Sequence, residues 1–466
     1  MIEPQRRPPG KVISSRLTNS AAHCAMSAPH STSTAHRPDS TNIYDVLVIG
    51  GGPAGATLAA LLAERGRSVV VLEKDRHPRF HIGESLLPFN IPLLEKLGVL
   101  AEVERIGMPK FGIEFVSPEH EAPSYLDFAN GWHKEMNYAF QVRRSEFDHV
   151  LLKNAAAKGA EIVEACRVVG VEFPNVGGVI ATAGGDDSSA RHWQARFLVD
   201  ASGREAFVAG RMNIKRRNGR HQSAAIYAHF EGAKRLPGRA QGNISIFWFE
   251  HGWFWLIPLA DGTTSVGVVS SPTVFRARDA DVTSFFLTLI EQCPALAQRL
   301  EHARLVAPAT GTGNYSYDCE HLYGARYILI GDASGFIDPI FSTGVYLAMR
   351  GAFVGADTVA TCLDDPARAP QAMKAFEREI RRDLARFSWF IYRITQPAIR
   401  SLFMAPRNYL RVDEAVLALL SGDVDARSPI RSRLLLFKAI YYAKILFASA
   451  SRLLGRGPVA PLLRHS

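Results

Sequence analysis

Short apolar runs that end in glycine-containing turns open the hydrophobic pattern of the chain. The first run, Asp45–Ile49, predicts a buried parallel strand, and a helical stretch and a second apolar run at residues 69–72 follow it. Two later runs, Phe197–Asp200 and Tyr327–Ile330, also lead into turns that contain glycine. Strands that alternate with helices predict an α/β domain with a parallel sheet, made of residues 42–221 and 306–365.

A different pattern fills residues 222–305. Apolar and polar residues alternate there in short stretches, which predicts antiparallel strands with one buried face; the stretches are residues 223–230, 244–249 and 265–269. After Asp365 the chain becomes helical and basic, and residues 372–394 have the spacing of an amphipathic helix. The expected fold is therefore α+β overall: an α/β domain, an antiparallel sheet, and a helical C-terminal region over residues 366–466.

The first 41 residues lack this patterning. Residues 1–41 are rich in Ser, Thr, His, Pro and Arg and contain few aliphatic side chains. Such a segment cannot bury enough apolar surface to order itself, so we interpret it as a disordered leader. Met26, inside this segment, is an alternative start of the protein.

The turn after the first strand has glycines at the spacing G-x-G-x-x-G, at Gly50, Gly52 and Gly55. The first glycine permits the tight turn, the second lets the backbone approach a pyrophosphate, and the third lets the helix pack on the strand. Glycines also cluster in ordinary strand–helix turns, but Glu73 at the end of the second strand stands where a carboxylate binds ribose. These features together predict a Rossmann-type dinucleotide site formed by Gly50, Gly52, Pro53, Ala54, Gly55, Glu73 and Lys74.

Later turns add candidates for the same site. Arg144 begins a helix and can pair with phosphate or ribose oxygens, although a solvated helix start explains it equally well. Asp332 follows a strand, where its carboxylate can bind hydroxyl groups, and the helix that begins near Ser342 offers its amino terminus to an anion or a ring. The remaining predicted cofactor-binding residues are Val168, Asp200, Gly331, Gly344 and Val345.

Charge and cysteine content narrow the function classes. The formal charge of +9 indicates an anionic partner or surface, but the excess is concentrated at the two ends of the chain, which argues against a nucleic-acid groove. The 5 cysteines lack the paired spacing of a zinc site and the density of a disulfide scaffold. We therefore expect no metal site and a cytoplasmic protein, without a signal peptide or a clean membrane span.

The order of these motifs resembles that of the flavoprotein monooxygenases of the aromatic hydroxylase fold, over residues 42–365. Within that group, three runs are similar to motifs of the flavin-dependent halogenases, and the geranylgeranyl-reductase-like flavoproteins share softer versions of them. The runs are Gly83–Pro88, Trp253–Pro258 in the pattern W-x-W-x-I-P, and Phe336–Gly344 in the pattern F-x-x-P-x-x-S-x-G.

The resemblance implies FAD as the cofactor, with the antiparallel sheet as a substrate domain. It implies that reduced FAD, oxygen and chloride or bromide form hypohalous acid, which then halogenates an aromatic substrate held in a separate pocket. An aromatic hydroxylase, a reductase of isoprenoid or polyene double bonds, and a non-catalytic flavin-binding scaffold are the alternatives.

Three groups of residues match the needs of this implied chemistry. Trp253 and Trp255, at alternate positions of a strand, can form a wall between flavin and substrate, unless they only fill an interface between sheet and domain. The amides of Ser342, Thr343 and Gly344 can bind the halide, or they form a plain flavin-contacting turn. The family uses a lysine near the substrate, and Lys110 occupies the matching position; a solvated lysine on a strand edge is the alternative.

One position departs from the pattern of the tryptophan halogenases. They have a glutamate just before the serine of the third motif, where this chain has Phe341. The run 338–342 resembles instead the group that acts on phenols and pyrroles, whose electron-rich rings need less assistance. His229 and His251 are further acid–base candidates, although a lone histidine is more often structural.

Partners follow from the same features. A single dinucleotide fingerprint implies that a separate flavin reductase supplies reduced FAD. An aromatic substrate either binds free or arrives tethered to an acidic carrier protein. Residues 429–456 combine basic and aromatic side chains, which suits peripheral contact with the inner face of a membrane; the alternative is a helix packed on the catalytic body or on a second subunit.

Overall fold

The apolar runs of the α/β pattern form the first of two large sheets. The computed structural model describes residues 43–175, 177–184, 190–219, 223–313, 316–406, 408–425 and 428–453, so the predicted leader lies outside the described residues. Ile43–Ile49 is parallel to both of its neighbours in this sheet. The strand order is Tyr323–Gly324, Tyr327–Leu329, Arg191–Asp200, Ile43–Ile49, Val69–Leu72 and Glu161–Val163, with Arg167–Glu172 and Val179–Gly184 joined beside Arg191–Asp200.

Helices bury the central strands of the first sheet. Val46, Val48 and Val70 are fully buried, as expected for parallel strands that are covered on both faces. The helix Pro53–Glu64 contacts the helices Arg144–Ala157 and Thr343–Asp364. The shorter helices that precede the C-terminal region in the chain are Ile91–Leu97, Leu100–Ile106, Phe207–Arg211, Pro272–Arg276, Val282–Glu291 and Pro294–Leu300.

The second sheet is mostly antiparallel and is buried on both faces. One face packs Trp248, Trp253 and Trp255 against C-terminal residues, and the other packs Phe247 and Phe254 against Val282–Glu291 and Pro294–Leu300. The expectation of one buried face is therefore wrong, because the C-terminal helices cover the second face. In order, the strands are Arg304–Leu305, Ala224–Glu231, Thr263–Ser270, Gly252–Pro258, Ile244–Phe249, Gly112–Val116 and Ser124–Asp127, with Thr310–Thr312 paired to Ala224–Glu231.

The segment around Lys110 belongs to two sheets instead of one continuous strand. Met108–Lys110 pairs with Ala139–Gln141, and Gly112–Val116 joins the second sheet parallel to Ile244–Phe249. The side chain of Asn243 holds the break, because its Oδ1 accepts hydrogen bonds from the backbone N–H groups of Phe111 at 2.8 Å and Gly112 at 2.9 Å. Lys110 is thus the last residue of a short strand beside the second sheet.

The C-terminal region is helical, as predicted. Its helices are Ala369–Ile391, Pro397–Met404, Val412–Ser421 and Arg431–Leu453. None of the described helices is long and apolar enough to cross a membrane. The remaining elements are the strands Lys215–Arg217, Tyr317–Cys319 and Gly335–Phe336, and the short 3-10 turns Pro88–Asn90, Phe128–Asn130, Gly203–Glu205, Gly238–Gly242, Gly331–Ser334, Pro339–Phe341 and Tyr409–Arg411.

One cross-strand contact fixes an aromatic ring of the second sheet. The indole of Trp255 lies over Gly267 on the neighbouring strand, where an added Cβ would stand 2.2 Å from Trp255 Cζ2. The indole N–H also donates a hydrogen bond to Ser265 Oγ at 3.1 Å. Gly267 therefore provides the space that the ring occupies.

Replacing Gly267 by alanine should lower the free energy of unfolding by about 1–3 kcal/mol, because the new methyl group must displace the Trp255 ring in a packed interior. Urea denaturation followed by far-UV circular dichroism measures this loss. The matched control is Gly311→Ala, also within a strand of this sheet, where an added Cβ meets no heavy atom within 4 Å. Equal unfolding midpoints for the two variants would contradict the packing argument.

Candidate active site

A first cavity, the nucleotide cavity, lies at the carboxyl ends of Ile43–Ile49 and Val69–Leu72. Its volume is about 1240 Å³. Carboxyl ends of parallel strands are where open α/β sheets bind their ligands. The predicted cofactor-binding residues that line it are Gly50, Gly52, Pro53, Ala54, Glu73, Lys74, Arg144, Val168 and Asp332.

The space around each glycine of the fingerprint differs. Gly50 has φ +99°, and an added Cβ there would lie 2.5 Å from Ala201 O. An added Cβ at Gly55 would lie 1.9 Å from Gly50 O, so this glycine allows the helix to approach the turn. At Gly52 the nearest atom is Arg79 Nη2 at 3.6 Å, which leaves open space before the helix amino terminus. This cradle fits the pyrophosphate of a dinucleotide.

Glu73 is fixed at the wall of the nucleotide cavity. Its Oε2 accepts a hydrogen bond from the N–H of Gly51 at 2.6 Å, and its Oε1 accepts one from the N–H of Asp75 at 2.9 Å. Each carboxylate oxygen retains acceptor capacity for ribose hydroxyls. The neighbouring Lys74 also lines the cavity and forms an ion pair with Glu205.

A second cavity, the aromatic-walled cavity, adjoins the first, and the space between protein atoms there, open solvent at its mouth included, is about 1360 Å³. Trp253 and Trp255 line it, with 3% and 6% of their surfaces exposed, while Phe254 between them faces the opposite side of the sheet. The first motif adds Gly83, Glu84 and Ser85 to its lining, and the third motif adds Ser342, Thr343 and Gly344. The predicted cofactor-binding residues Gly331 and Val345 also line it.

Charged groups stand where the two cavities meet. His81, Arg144, Arg204 and Asp332 line both cavities. Burial raises the pKa of Asp332 to about 6, against the opposing effects of Arg204 and Arg144. Burial, together with the charge of Arg144, lowers the pKa of His81 to about 3, so this imidazole is neutral at pH 7.

Arg144 is held rigidly at this junction. Its Nε donates to Asp148 Oδ1 at 2.7 Å, its Nη2 donates to Asp148 Oδ2 at 3.0 Å, and its Nη1 donates to the carbonyl of Ile82 at 3.0 Å. The alternative of a solvated helix start is wrong, because only 6% of Arg144 is exposed. The two-cavity arrangement, with a guanidinium at the junction, fits an extended dinucleotide such as FAD.

The third motif ends in a helix amino terminus inside the aromatic-walled cavity. Ser342 has φ +57°, in the left-handed region, and it immediately precedes the helix Thr343–Asp364. The positive end of this 22-residue helix therefore faces the cavity, which attracts anions and polar ring edges.

Lys110 is buried behind the first motif. It has no exposed surface, and its Nζ donates hydrogen bonds to Ser85 Oγ at 2.9 Å and to the carbonyl of Leu86 at 3.1 Å. The alternative of a solvated strand-edge lysine is therefore wrong. Burial lowers the pKa of Lys110 to about 7, and the described residues place no carboxylate within ion-pair distance of it. Lys110 lines neither cavity, whereas Ser85, which accepts its hydrogen bond, lines the aromatic-walled cavity.

Other candidates lie away from the cavity walls. The carboxylate of Asp200 accepts hydrogen bonds from the N–H groups of Ser202 at 2.9 Å and Val208 at 2.7 Å, which positions it to hold the following turn. His251 is exposed beside the Gly252 turn. Phe341 packs against Phe403, with ring centroids 6.3 Å apart, in the apolar cluster of the C-terminal helices.

The sequence patterns did not single out His81, Arg204 and Glu84 as site residues. His81 lies in no quoted motif, and only the folded chain brings it to the junction. Arg204 ends the glycine turn that follows Asp200, one of the turns on which the family resemblance rests, but that turn gave it no role in the site. Glu84 could have been found, because it lies inside the quoted Gly83–Pro88 run. It lines the aromatic-walled cavity and has 2% of its surface exposed.

Comparisons with known proteins agree with this geometry. The family model described as tryptophan halogenase matches residues 119–397, and a model of an NAD(P)-binding Rossmann-like domain matches residues 48–86. The 1H-pyrrole-2-carbonyl-[peptidyl-carrier protein] chlorinase of Pseudomonas fluorescens is 30% identical over 404 residues, which are 82% of this chain and 89% of that protein.

Two further relatives are similar over most of their length. The flavin-dependent halogenase armH3 of Armillaria mellea is 33% identical over 415 residues, or 82% of this chain and 81% of that protein. The solved structure of the myxobacterial chondrochloren halogenase CndH, a FAD-dependent halogenase, superposes with a TM-score of 0.73 at 33% identity, covering 83% of this chain and 92% of that one. The chain belongs to the tryptophan halogenase family and is an FAD-dependent halogenase.

Proposed function

We propose that the chain halogenates an electron-rich phenol- or pyrrole-type ring, with Lys110 as the residue that presents the oxidant. The burial of Lys110 behind the Ser85 wall of the aromatic-walled cavity carries this proposal. FAD, when bound, supplies the oxygen chemistry that turns a halide into hypohalous acid. The residues of the chain then bind the halide, separate the reacting partners and direct the oxidant.

The hydrogen bonds of Lys110 suit it to hold a small neutral oxidant. An ammonium group has three donors, and Ser85 Oγ and Leu86 O accept two of them. We assign the third donor to the oxygen of hypohalous acid, which must pass Ser85 because Lys110 itself lines neither cavity. This hydrogen bond makes the halogen more electrophilic. The surrounding apolar side chains, including Phe128 with its ring centroid 5.4 Å from Nζ, strengthen this interaction by excluding water.

The wall and the helix terminus complete the proposed division of the site. Trp253 and Trp255 keep the substrate away from the flavin, so that hydroxylation does not compete. The N–H groups of Ser342, Thr343 and Gly344 bind chloride or bromide at the positive end of the helix. Gly50, Gly52, Glu73, Arg144 and the other lining residues hold FAD across the two cavities.

The proposed substrate class follows from the residue at position 341. With Phe341 in the position of a glutamate, that residue offers no carboxylate to remove the ring proton, so the ring must be reactive by itself. The chlorinase relative acts on a pyrrole group attached to a peptidyl-carrier protein, which supports a tethered substrate as well as a free one. Reduced FAD comes from a separate flavin reductase, as is usual for flavin-dependent halogenases.

The exposed face of the helix Arg431–Leu453 supports peripheral membrane contact. Leu435, Tyr442 and Leu446 recur on one helical face, and 66%, 46% and 69% of their surfaces are exposed. Phe437 and Tyr441 on the opposite face pack on the body of the protein, so the helix has two apolar faces. No Asp or Glu follows Asp425 in the chain. A second copy of this basic surface would repel it, whereas anionic headgroups complement it.

Incubation with a flavin reductase, NADH, FAD and bromide should convert phenols, resorcinols or pyrroles to products with the bromine isotope pattern in mass spectrometry. Carrier-bound and free forms of each substrate form the two arms of the experiment. Free tryptophan serves as the comparison substrate and should react at least about tenfold more slowly. Products that gain one oxygen with or without bromide would instead identify a hydroxylase.

Lys110→Met should reduce halogenation by about 100-fold or more, because it removes the donor to the oxidant, while the affinity for FAD stays unchanged. The halogenation rate of the wild type should fall as the pH rises through about 7, because Lys110, with a folded-state pKa of about 7, then loses its ammonium form. Rates and FAD titration by fluorescence measure both effects. Lys153→Met, at an exposed position of the helix Arg144–Ala157, is the control, and retained halogenation in Lys110→Met would remove the assigned role.

The double variant Leu446→Ser/Phe447→Ser should bind anionic phosphatidylglycerol vesicles at least about tenfold more weakly than the wild type, since each lost side chain withdraws ~1.5–3 kcal/mol of apolar burial. Co-sedimentation with vesicles measures binding. Val169→Ser/Val306→Ser, at exposed positions elsewhere, is the matched control. The wild type should bind neutral phosphatidylcholine vesicles more weakly than anionic ones, and high salt should weaken its binding to anionic vesicles. Absence of wild-type binding to anionic vesicles would refute membrane contact.

A further inference from the structure

A buried carboxylate in the aromatic-walled cavity has one oxygen without a partner. Glu84 lines this cavity with 2% of its surface exposed. Its Oε2 is buried and has no hydrogen-bond partner among the described residues. An unpaired buried carboxylate oxygen costs free energy, so its retention points to a ligand or a transferred proton in the cavity.

The other oxygen of Glu84 leads away from the cavity. Oε1 lies 2.8 Å from Nε2 of His229, a residue 145 positions further along the chain. The side chain of His229 keeps 12% of its surface exposed, compared with 2% for Glu84. It also meets the edge of Phe80, whose ring is 56% exposed. The pair therefore connects a partly exposed imidazole to a carboxylate in the cavity wall.

The other charged and titratable neighbours of Glu84 form no hydrogen bond with its Oε2 among the described residues. The charge of Arg144 and the hydroxyl of Tyr227 both interact electrostatically with Glu84. Arg144 gives its Nε and Nη2 to Asp148 and its Nη1 to Ile82 and Gly83 carbonyls. Glu84 Oε2 thus has no partner among the described residues, although Glu84 lines the cavity. Lys110 binds the next residue, Ser85, through its Oγ.

We propose that Glu84 and His229 form a proton relay that supplies the aromatic-walled cavity during formation of hypohalous acid. Reduced FAD, O₂, one halide ion and one proton give FAD, one hypohalous acid and one water. With the reduced cofactor written as FADH₂, this cofactor and the halide each lose two electrons, and the two oxygen atoms gain these four. One proton must therefore enter a buried site in each turnover. Glu84 gives its proton through Oε2, and His229, as a positioning residue, returns one to Oε1 and takes another from solvent. Rotation of the carboxyl group then brings the new proton to the cavity side for the next turnover.

This role rests on the halogenation chemistry and is separable from that of Lys110. Glu84 acts before hypohalous acid exists, whereas Lys110 acts on hypohalous acid already formed. Loss of Glu84 should divert oxygen to hydrogen peroxide. Loss of Lys110 should leave oxidant formation intact and prevent its productive use.

The test replaces Glu84 by glutamine, which keeps the shape and removes the titrating group. Glu84→Gln should lower the halogenation rate about 100-fold, within the usual contribution of general acids, and raise hydrogen peroxide per NADH consumed. His229→Gln should slow halogenation less than Glu84→Gln does, and added imidazole should restore part of the lost rate. A Glu84→Gln variant with the same halogenation rate and peroxide yield as the wild type would overturn the relay. Absence of halogenation by the wild type would overturn the proposed function instead.

A second readout does not depend on turnover. FAD binding is measured by calorimetry in two buffers of different ionisation enthalpy, which gives the protons taken up or released. On FAD binding, Glu84→Gln should exchange fewer protons with the buffer than the wild type does, at an unchanged affinity, while Asp332, which lines both cavities, keeps its own contribution. Glu114→Gln is the matched control, since Glu114 is equally buried but bonds to Tyr125 and Arg299 away from both cavities. A number of exchanged protons that is the same in Glu84→Gln as in the wild type, or that falls equally in both variants, would exclude the relay.

Discussion

The burial of the second sheet on both faces is the constraint on which the site depends. An antiparallel sheet of this kind normally leaves one face to solvent, but here the C-terminal helices cover the face that carries Trp248, Trp253 and Trp255. Lys110 has no exposed surface, and Phe128, whose ring centroid lies 5.4 Å from its Nζ, belongs to the same apolar cluster as these helices. Burial lowers the pKa of this ammonium. The chemistry proposed for the site is thus a consequence of packing contributed by the last hundred residues.

The first sheet forms the nucleotide-binding part of the proposed site through the turns at the ends of its strands. Parallel strands end together, and their turns bring Gly50, Glu73 and Asp332 to the walls of adjoining cavities. Arg144 joins the two cavities because Asp148, one helical turn away, holds its guanidinium. The proposed site therefore combines a rigid nucleotide cradle with a reaction cavity whose dryness comes from a distant part of the chain.

Local patterns predicted the first sheet well and the second sheet only in part. The strand Val69–Leu72 and the helix Arg144–Ala157 were predicted with their observed bounds, since apolar runs and glycine turns act over a few residues. The break after Lys110 was not predicted, because it depends on Asn243, more than 130 positions away. Lys110 itself was found by its place in the order of motifs, but its burial against Ser85 has no local signal. The pair of Glu84 and His229 was invisible for the same reason.

The C-terminal helix shows most clearly where periodicity reaches its limit. Its sequence left two interpretations open: an apolar face packed on the body, or an apolar face in a membrane interface. The structure satisfies the first with Phe437 and Tyr441 and still exposes Leu435, Leu446 and Phe447. A hydrophobic pattern records how many apolar residues a helix has and on which sides, but not which sides the body covers. The uncovered side is what makes the membrane proposal physically distinct from the packing that holds the helix in place.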